Sequence, residues 1–199
     1  MTLNPTRKVR LLLVDDDRLV LATLSGGLKD AGYEISTAES AEEAEMLLAS
    51  GLRPELAIVD IRMPGQDGIY LARRLRELDH IPFMMLSAYS EQRLIDQASH
   101  HGALGYLVKP LDTPQLLPAI EAALSRANEL QSLRDARAQL QAALDSERDI
   151  SVAIGITMMR YRLRRQDAFE LLRKTARSER RKLSDLAAEL IRQPLPNDQ

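Results

Sequence analysis

Cysteine is absent from this 199-residue chain, which excludes a disulfide framework and a cysteine-ligated zinc site. Long apolar runs are also missing: no stretch approaches the roughly 18 residues that a membrane-spanning helix needs. The N-terminus lacks the succession of basic, apolar and small residues that marks a signal peptide. The expected location is therefore cytoplasmic, without a membrane partner. Aromatic residues are scarce where stacking on nucleic-acid bases would use them, since residues 148–199 offer only Tyr161 and Phe169. What remains is ordinary for a globular protein. An apolar content of 45% supports a real core, and the length allows one domain plus a smaller one or a helical extension.

Net charge is only −2, yet its distribution is uneven. Residues 1–112 hold 12 basic and 17 acidic side chains, residues 113–147 hold 3 and 5, and residues 148–199 hold 12 and 7. The C-terminal segment is thus basic by 5 charges and suits an anionic partner, although a solvated basic surface is the commoner reason for such a bias.

The first 112 residues alternate between two periodicities. Val9–Val14 and Tyr33–Ala38 read as strands flanking a helix from Arg18 to Ala31, with Leu21, Leu24, Leu28 and Ala31 on one face. Ser40-Ala41-Glu42-Glu43 is a capping box that opens a helix ending near Gly51. Strand Leu56–Asp60, helix Ile69–Leu78, strand Phe83–Ser87, a helix from Glu91 to about His100 and strand Gly105–Val108 complete five βα repeats. Continuous apolar strands between amphipathic helices predict an α/β fold, a doubly wound parallel sheet covered on both faces. Gly26-Gly27 within the first helix conflicts with helix propensity, at about 1 kcal/mol per glycine, and close packing is the one explanation that suggests itself.

In such a sheet the working side chains gather at the carboxyl ends of the strands, near the point where strand order reverses. Asp15-Asp16-Asp17, Asp60, Ser87 and Lys109 occupy those ends. With strand order 2-1-3-4-5, Asp15, Asp16 and Asp60 converge. Carboxylates so placed repel and raise one another's pKa. A hard dication such as Mg²⁺ removes the conflict and leaves positions for phosphoryl oxygens. An aspartate can then act as nucleophile and carry an acyl phosphate, with Lys109 supplying fixed positive charge and Ser87 a hydroxyl. Alone, an acidic trio after a strand is more often a solvated loop or a helix cap, and Lys-Pro is an ordinary turn. One such residue at each required strand end reverses that weighting.

These segments resemble the receiver domain of two-component response regulators. The resemblance is carried by Leu12-Leu13-Val14-Asp15-Asp16, by Val59-Asp60-Ile61-Arg62-Met63-Pro64-Gly65-Gln66-Asp67-Gly68, by Leu86-Ser87-Ala88 and by Gly105-Tyr106-Leu107-Val108-Lys109-Pro110. It implies a flavodoxin-like receiver over residues 8–124 that a sensor histidine kinase phosphorylates on Asp60. It further implies that Asp15, Asp16, Asp60 and the Arg62 carbonyl hold Mg²⁺, and that Ser87 and Lys109 engage the phosphoryl group. Tyr106 and Ser87 would be switch residues, and the Lys109–Pro110 bond would be cis, an isomer that proline makes accessible. The protein would not be an enzyme beyond its own phosphorylation and dephosphorylation.

Thr113-Pro114 is expected to open the next helix, with Thr113 as cap, and Pro118 to delay its regular part. Leu124, Ala127, Leu130, Leu133, Leu140 and Leu144 form an imperfect heptad stripe, interrupted by Arg137. It suits a coiled-coil dimer handle over residues 125–147, or a helix folded back on its own domain. Three helical patterns follow: Arg148 to about Tyr161, Asp167 to about Arg180 and Leu183 to Ile191. The inner face of the middle one is expected to comprise Ala168, Leu171, Leu172, Thr175 and Ala176, with Arg173, Arg177, Arg180 and Arg181 sharing another face. Charge alone leaves open a DNA-binding helix-turn-helix and an RNA-binding unit.

Residues 148–192 resemble the ANTAR domain, the RNA-binding output of antiterminating response regulators. The matching segments are Arg148-Asp149-Ile150, Ala153-Ile154-Gly155-Ile156, Met158-Met159-Arg160, Asp167-Ala168-Phe169, Leu172-Arg173, Ala176 and Lys182-Leu183-Ser184-Asp185-Leu186-Ala187. Ile154 departs from the pattern, standing where lysine is usual. The resemblance implies a small three-helix domain that binds hairpins in leader transcripts and acts as a homodimer when active. Arg160, Arg173, Arg177, Arg180, Arg181 and Lys182 would be its RNA contacts.

Overall fold

A computed structural model describes residues 8–88 and 100–192. The chain divides into two compact units, Met1–Leu130 and Gln131–Gln199. In the first, strands β1 (Arg10–Val14), β2 (Glu34–Ala38), β3 (Leu56–Asp60), β4 (Phe83–Ser87) and β5 (Tyr106–Val108) form one parallel sheet in the order β2-β1-β3-β4-β5. Helices α1 (Arg18–Asp30), α2 (Ala41–Ala49) and α3 (Gly68–Arg74) alternate with the strands. The expected helix from Glu91 to about His100 lies, apart from His100, outside the described residues.

The period-2 alternation of strand side chains divides the core into two layers. Leu12, Val14, Ala57, Val59, Phe83 and Met85 pack against Ala44 and Leu48 of α2 and Leu71 and Ala72 of α3. Leu11, Leu13, Leu56, Ile58, Met84 and Leu86 face the other way, onto Leu21, Leu24 and Leu28 of α1 and Leu116, Ile120 and Ala123 further along. Both faces are covered, which is why β3 and β4 are apolar up to their last residues, Asp60 and Ser87, and buried at every position.

Several local expectations are corrected. The helix expected over Ile69–Leu78 begins at Gly68, where Asp67 caps it by accepting the Tyr70 amide at 2.8 Å, and its final turn, Leu75–Asp79, is π-helical. The side chain of Glu43 in the capping box bonds the Glu39 amide at 2.6 Å, one residue ahead of Ser40, while Ser40 accepts the Glu43 amide at 3.2 Å. Thr113 is not a cap. Asp112 accepts the Gln115 amide at 3.0 Å and Gln115 returns the bond to the Asp112 amide at 3.1 Å, so helix α4 starts at Thr113 itself. It continues through Pro118 to Tyr161 without the delay expected from proline. Gly27 is explained by this helix: a Cβ there would collide with the Thr113 side chain. Nothing lies within 4 Å of a Cβ at Gly26, and the structure offers no reason for that glycine.

In the second unit the first of the three helical patterns is the end of α4 and not a separate helix. Helices α5 (Arg165–Ser178) and α6 (Leu183–Arg192) follow. Ala153, Ile154, Ala168, Leu172, Ala176, Leu186 and Ala187 are the buried centre, with Phe169, Leu183 and Leu190 packed against it. Leu171, expected inside, is 37% exposed. Leu133, Leu140 and Leu144 of the heptad stripe are all more than half exposed. No helix among the described residues is long and apolar enough to cross a membrane.

Candidate functional site

The carboxyl ends of β1, β3 and β5 converge because neighbouring strands are in register to their last residues. Val14 pairs with Val59, Asp60 with Leu86, and Ser87 with Val108. Backbone bonds continue past the strands, from the Ile61 amide to the Leu86 carbonyl at 2.9 Å and from the Lys109 amide to the Ser87 carbonyl at 2.7 Å. Residues far apart in sequence are thereby fixed side by side.

The acidic trio after β1 splits into two roles. Asp17 is the α1 cap, accepting the amides of Leu19 at 2.8 Å and Val20 at 3.3 Å. Asp15 is fully buried, and its Oδ1 accepts the Asp17 amide at 3.0 Å. Carboxylate oxygens of Asp15, Asp16 and Asp60 lie within 4.8 Å of one another. Lys109 bridges two of them, with Nζ 2.6 Å from Asp15 Oδ2 and 3.0 Å from Asp60 Oδ1. Asp15 Oδ2 is buried, and the Lys109 ammonium is its ion-pair partner. Oxygen donors from three carboxylates, Asp15 and Asp60 buried and Asp16 exposed, fit a hard divalent cation. Arg62 follows on the β3–α3 loop with its side chain exposed.

Burial pushes the Asp60 carboxyl above its ordinary value; Lys109 opposes the rise, and the charges of Asp15 and Asp16 add to it. Lys109 is subject to the opposite balance. Burial would lower its pKa, but the bonds to Asp15 and Asp60 outweigh that and raise it. The cluster therefore retains unrelieved negative charge despite its lysine.

Ser87 is buried at the end of β4, and Tyr106 is half-buried on β5, packed against the α2–α3 side of the core. The Lys109–Pro110 peptide is cis. One positional requirement was hidden in the sequence. A Cβ on Gly68 would overlap the Asp60 carbonyl, and the Gly68 amide bonds the Ile61 carbonyl at 2.9 Å. Asp67-Gly68 marks a turn in sequence, but the close approach of α3 to the strand that presents Asp60 emerges only in three dimensions.

The basic residues of the second unit are not one patch on one helix. Arg173 and Arg177 are one turn apart on α5, whereas Arg180 and Arg181 lie beyond its end at Ser178, with Arg180 in the left-handed region at φ 54°. This corrects the shared face expected for all four. Arg181 is engaged by Glu189 at 2.6 Å and Glu179 at 3.3 Å, and Arg173 by Glu170 at 3.3 Å. Arg160, Arg177, Arg180 and Lys182 are exposed. Ile154 is buried in the three-helix core, so this position does not present a side chain to a ligand.

A doubly wound sheet with an acidic cluster and a lysine at the carboxyl ends of its strands has the architecture of a receiver-type signalling domain. The profile of the response regulator receiver domain matches residues 11–121, and that of the ANTAR domain residues 138–191. The transcriptional regulatory protein PdtaR of Mycobacterium tuberculosis is 32% identical over 186 residues, covering 94% of this chain and 90% of that protein. Among solved structures, a CheY-like receiver domain protein from Methanospirillum hungatei aligns with TM-score 0.58 and 26% identity, over 62% of this chain and 98% of its own. CheY4 of Vibrio cholerae aligns with TM-score 0.55 and 29% identity, over 59% and 99%. The chain belongs to the response regulators that couple a receiver domain to an ANTAR output. That output is favoured over a helix-turn-helix.

Proposed function

We propose that this response regulator is a phosphorylation-controlled transcription antiterminator of the cytoplasm that binds hairpins in leader RNA. The carrying observation is the cluster of Asp15, Asp16, Asp60 and Lys109 in a chain whose other unit is an ANTAR domain. Residues 8–124 act as receiver, 125–147 as linker and 148–192 as RNA-binding unit.

Asp15, Asp16 and Asp60, with the Arg62 carbonyl, are the residues that would hold Mg²⁺. When bound, that ion neutralises the cluster and the incoming phosphoryl oxygens. Asp60 is the nucleophile that receives the phosphoryl group from a sensor histidine kinase. Lys109 stabilises the added charge, and Ser87 offers its hydroxyl to a phosphoryl oxygen. Ser87 and Tyr106 move in response, which changes the packing of the receiver's distal face. The exposed Leu133, Leu140 and Leu144 then pair with those of a second copy, and the dimer presents two basic units. Arg160, Arg173, Arg177, Arg180, Arg181 and Lys182 make the RNA contacts.

The test is titration of stem-loop RNA against the native chain and Asp60→Asn, with and without a phosphodonor, at fixed salt. Phosphorylation should tighten binding by the native chain alone. Equal affinity in all four states would exclude phospho-control, and equal affinity for duplex DNA would exclude an RNA-specific output.

A further inference from the structure

The RNA reading leaves open what, besides phosphate charge, the ANTAR unit recognises. Between the end of α4 and helices α5 and α6 lies a cleft of about 140 Å³, lined by Ile156, Thr157, Arg160, Tyr161, Leu171 and Thr175 among others. Its floor is apolar, yet its rim is unusual for a core void. Tyr161 is 58% exposed and Leu171 is 37% exposed, two large side chains left at the mouth while Leu172 and Leu186 of the same cleft are buried. Arg160 stands beside Tyr161 on the same rim, within a segment that is basic by 5 charges.

The polar wall has a definite character. The Thr157 hydroxyl donates to the Ala153 carbonyl at 2.8 Å, and the Thr175 hydroxyl donates to the Leu171 carbonyl at 3.0 Å. With both protons engaged, these oxygens retain only lone pairs and can accept from an N–H but cannot donate. A flat aromatic ring, an adjacent guanidinium, an apolar floor and acceptor-only walls match the needs of one extruded nucleobase. The base would stack on Tyr161, its edge would find acceptors, and its phosphate would meet Arg160.

We infer that this cleft takes a single unpaired base from the loop of the bound RNA, stacked on Tyr161. The inference rests on the RNA reading above and deepens it. Single-strand recognition of this kind is a local, aromatic contribution, separable from the diffuse attraction of arginines for phosphates. Stacking releases no counterions, so its removal weakens binding without changing the salt slope, whereas removing a phosphate-contacting arginine lowers that slope.

The experiment uses the full chain with a stem-loop selected from a randomised-loop RNA library, comparing native protein, Tyr161→Ala, Tyr161→Phe and the double variant Arg173→Glu/Arg177→Glu. Each loop base is replaced in turn by an abasic site. Tyr161→Ala should weaken binding by about 10- to 100-fold, the loss of one stacked base, with an unchanged salt slope, while Tyr161→Phe binds like the native chain. One abasic replacement should weaken the native chain by the same factor and the Tyr161→Ala variant no further. Native-like affinity of Tyr161→Ala, or abasic effects independent of Tyr161, would overturn the cleft's assignment. If Arg173→Glu/Arg177→Glu still weakened binding, the RNA reading would survive that result. A change of oligomeric state in Tyr161→Ala without a change in affinity would give the cleft to a second copy of the chain and overturn it too. Failure of the native chain to bind any selected stem-loop would remove both readings.

Discussion

The Lys109 ammonium lies 3.0 Å from Asp60 Oδ1 and, at the same time, 2.6 Å from Asp15 Oδ2. One cation thus serves two buried or nearly buried carboxylates, with Asp16 completing an acidic trio. A single positive charge does not balance the group, and the Asp60 pKa is displaced upward, chiefly by burial, with the charges of Asp15 and Asp16 adding to the rise.

Asp60 should destabilise the metal-free protein at neutral pH. Its folded pKa is raised, so its contribution is most favourable below the unfolded value of 3.8 and is lost as pH rises through the folded one. Asp60→Asn should therefore melt above the native chain in EDTA at pH 7, and the difference should shrink as pH falls toward 4. Millimolar Mg²⁺ should raise the native melting temperature and leave the variant nearly unmoved. Thermal melts by circular dichroism across these conditions check the sign.

Lys109→Ala removes the only counter-charge that bridges Asp15 and Asp60 among the described residues. Leaving those carboxylates unpaired should cost about 2–3 kcal/mol of stability without Mg²⁺. The same substitution should tighten Mg²⁺ binding while slowing phosphorylation, because the ion no longer competes with the ammonium. Isothermal titration calorimetry with Mg²⁺ would expose an error if the variant bound more weakly.

Three glycine substitutions should separate by sign. Gly68→Ala forces a Cβ onto the Asp60 carbonyl, which should cost about 1–3 kcal/mol and slow phosphorylation. Gly27→Ala meets Thr113 and should also destabilise, whereas Gly26→Ala meets nothing and should gain about 0.5–1 kcal/mol of helix propensity. Urea denaturation ranks all three.

The sequence makes β3 and β4 legible to the residue because each is a continuous apolar run bounded by turn-forming or polar residues, and the convergence of Asp15, Asp16 and Asp60 follows once strand order is assumed. The features it conceals depend on packing between distant segments. Gly27 is small because of Thr113, and Gly68 because of the Asp60 carbonyl. Asp112 displaces Thr113 as cap because Gln115 can return the bond, a choice that propensity does not rank. Helical periodicity places Arg180 and Arg181 with Arg173 and Arg177, but α5 ends first and the chain turns through a left-handed residue. The π-helical turn at Leu75–Asp79 keeps an apolar pattern close enough to 3.6 residues to hide within it.

Arg173→Glu and Arg177→Glu should weaken stem-loop binding and reduce its salt dependence, by roughly one unit of slope for each phosphate that is no longer neutralised. Arg181→Glu would additionally break the pairs with Glu189 and Glu179. Its effect should therefore include a loss of stability, visible in a thermal melt, larger than that of Arg173→Glu, which breaks the single pair with Glu170, and absent from Arg177→Glu.

The most direct measurement is the intact mass of the full chain after incubation with acetyl phosphate. With Mg²⁺ the native protein should gain one phosphoryl group, and the adduct should be absent in EDTA and absent from Asp60→Asn. An unchanged native mass, or the same adduct on Asp60→Asn, would contradict the assignment of Asp60 and its acidic neighbours as the phosphoryl-accepting site.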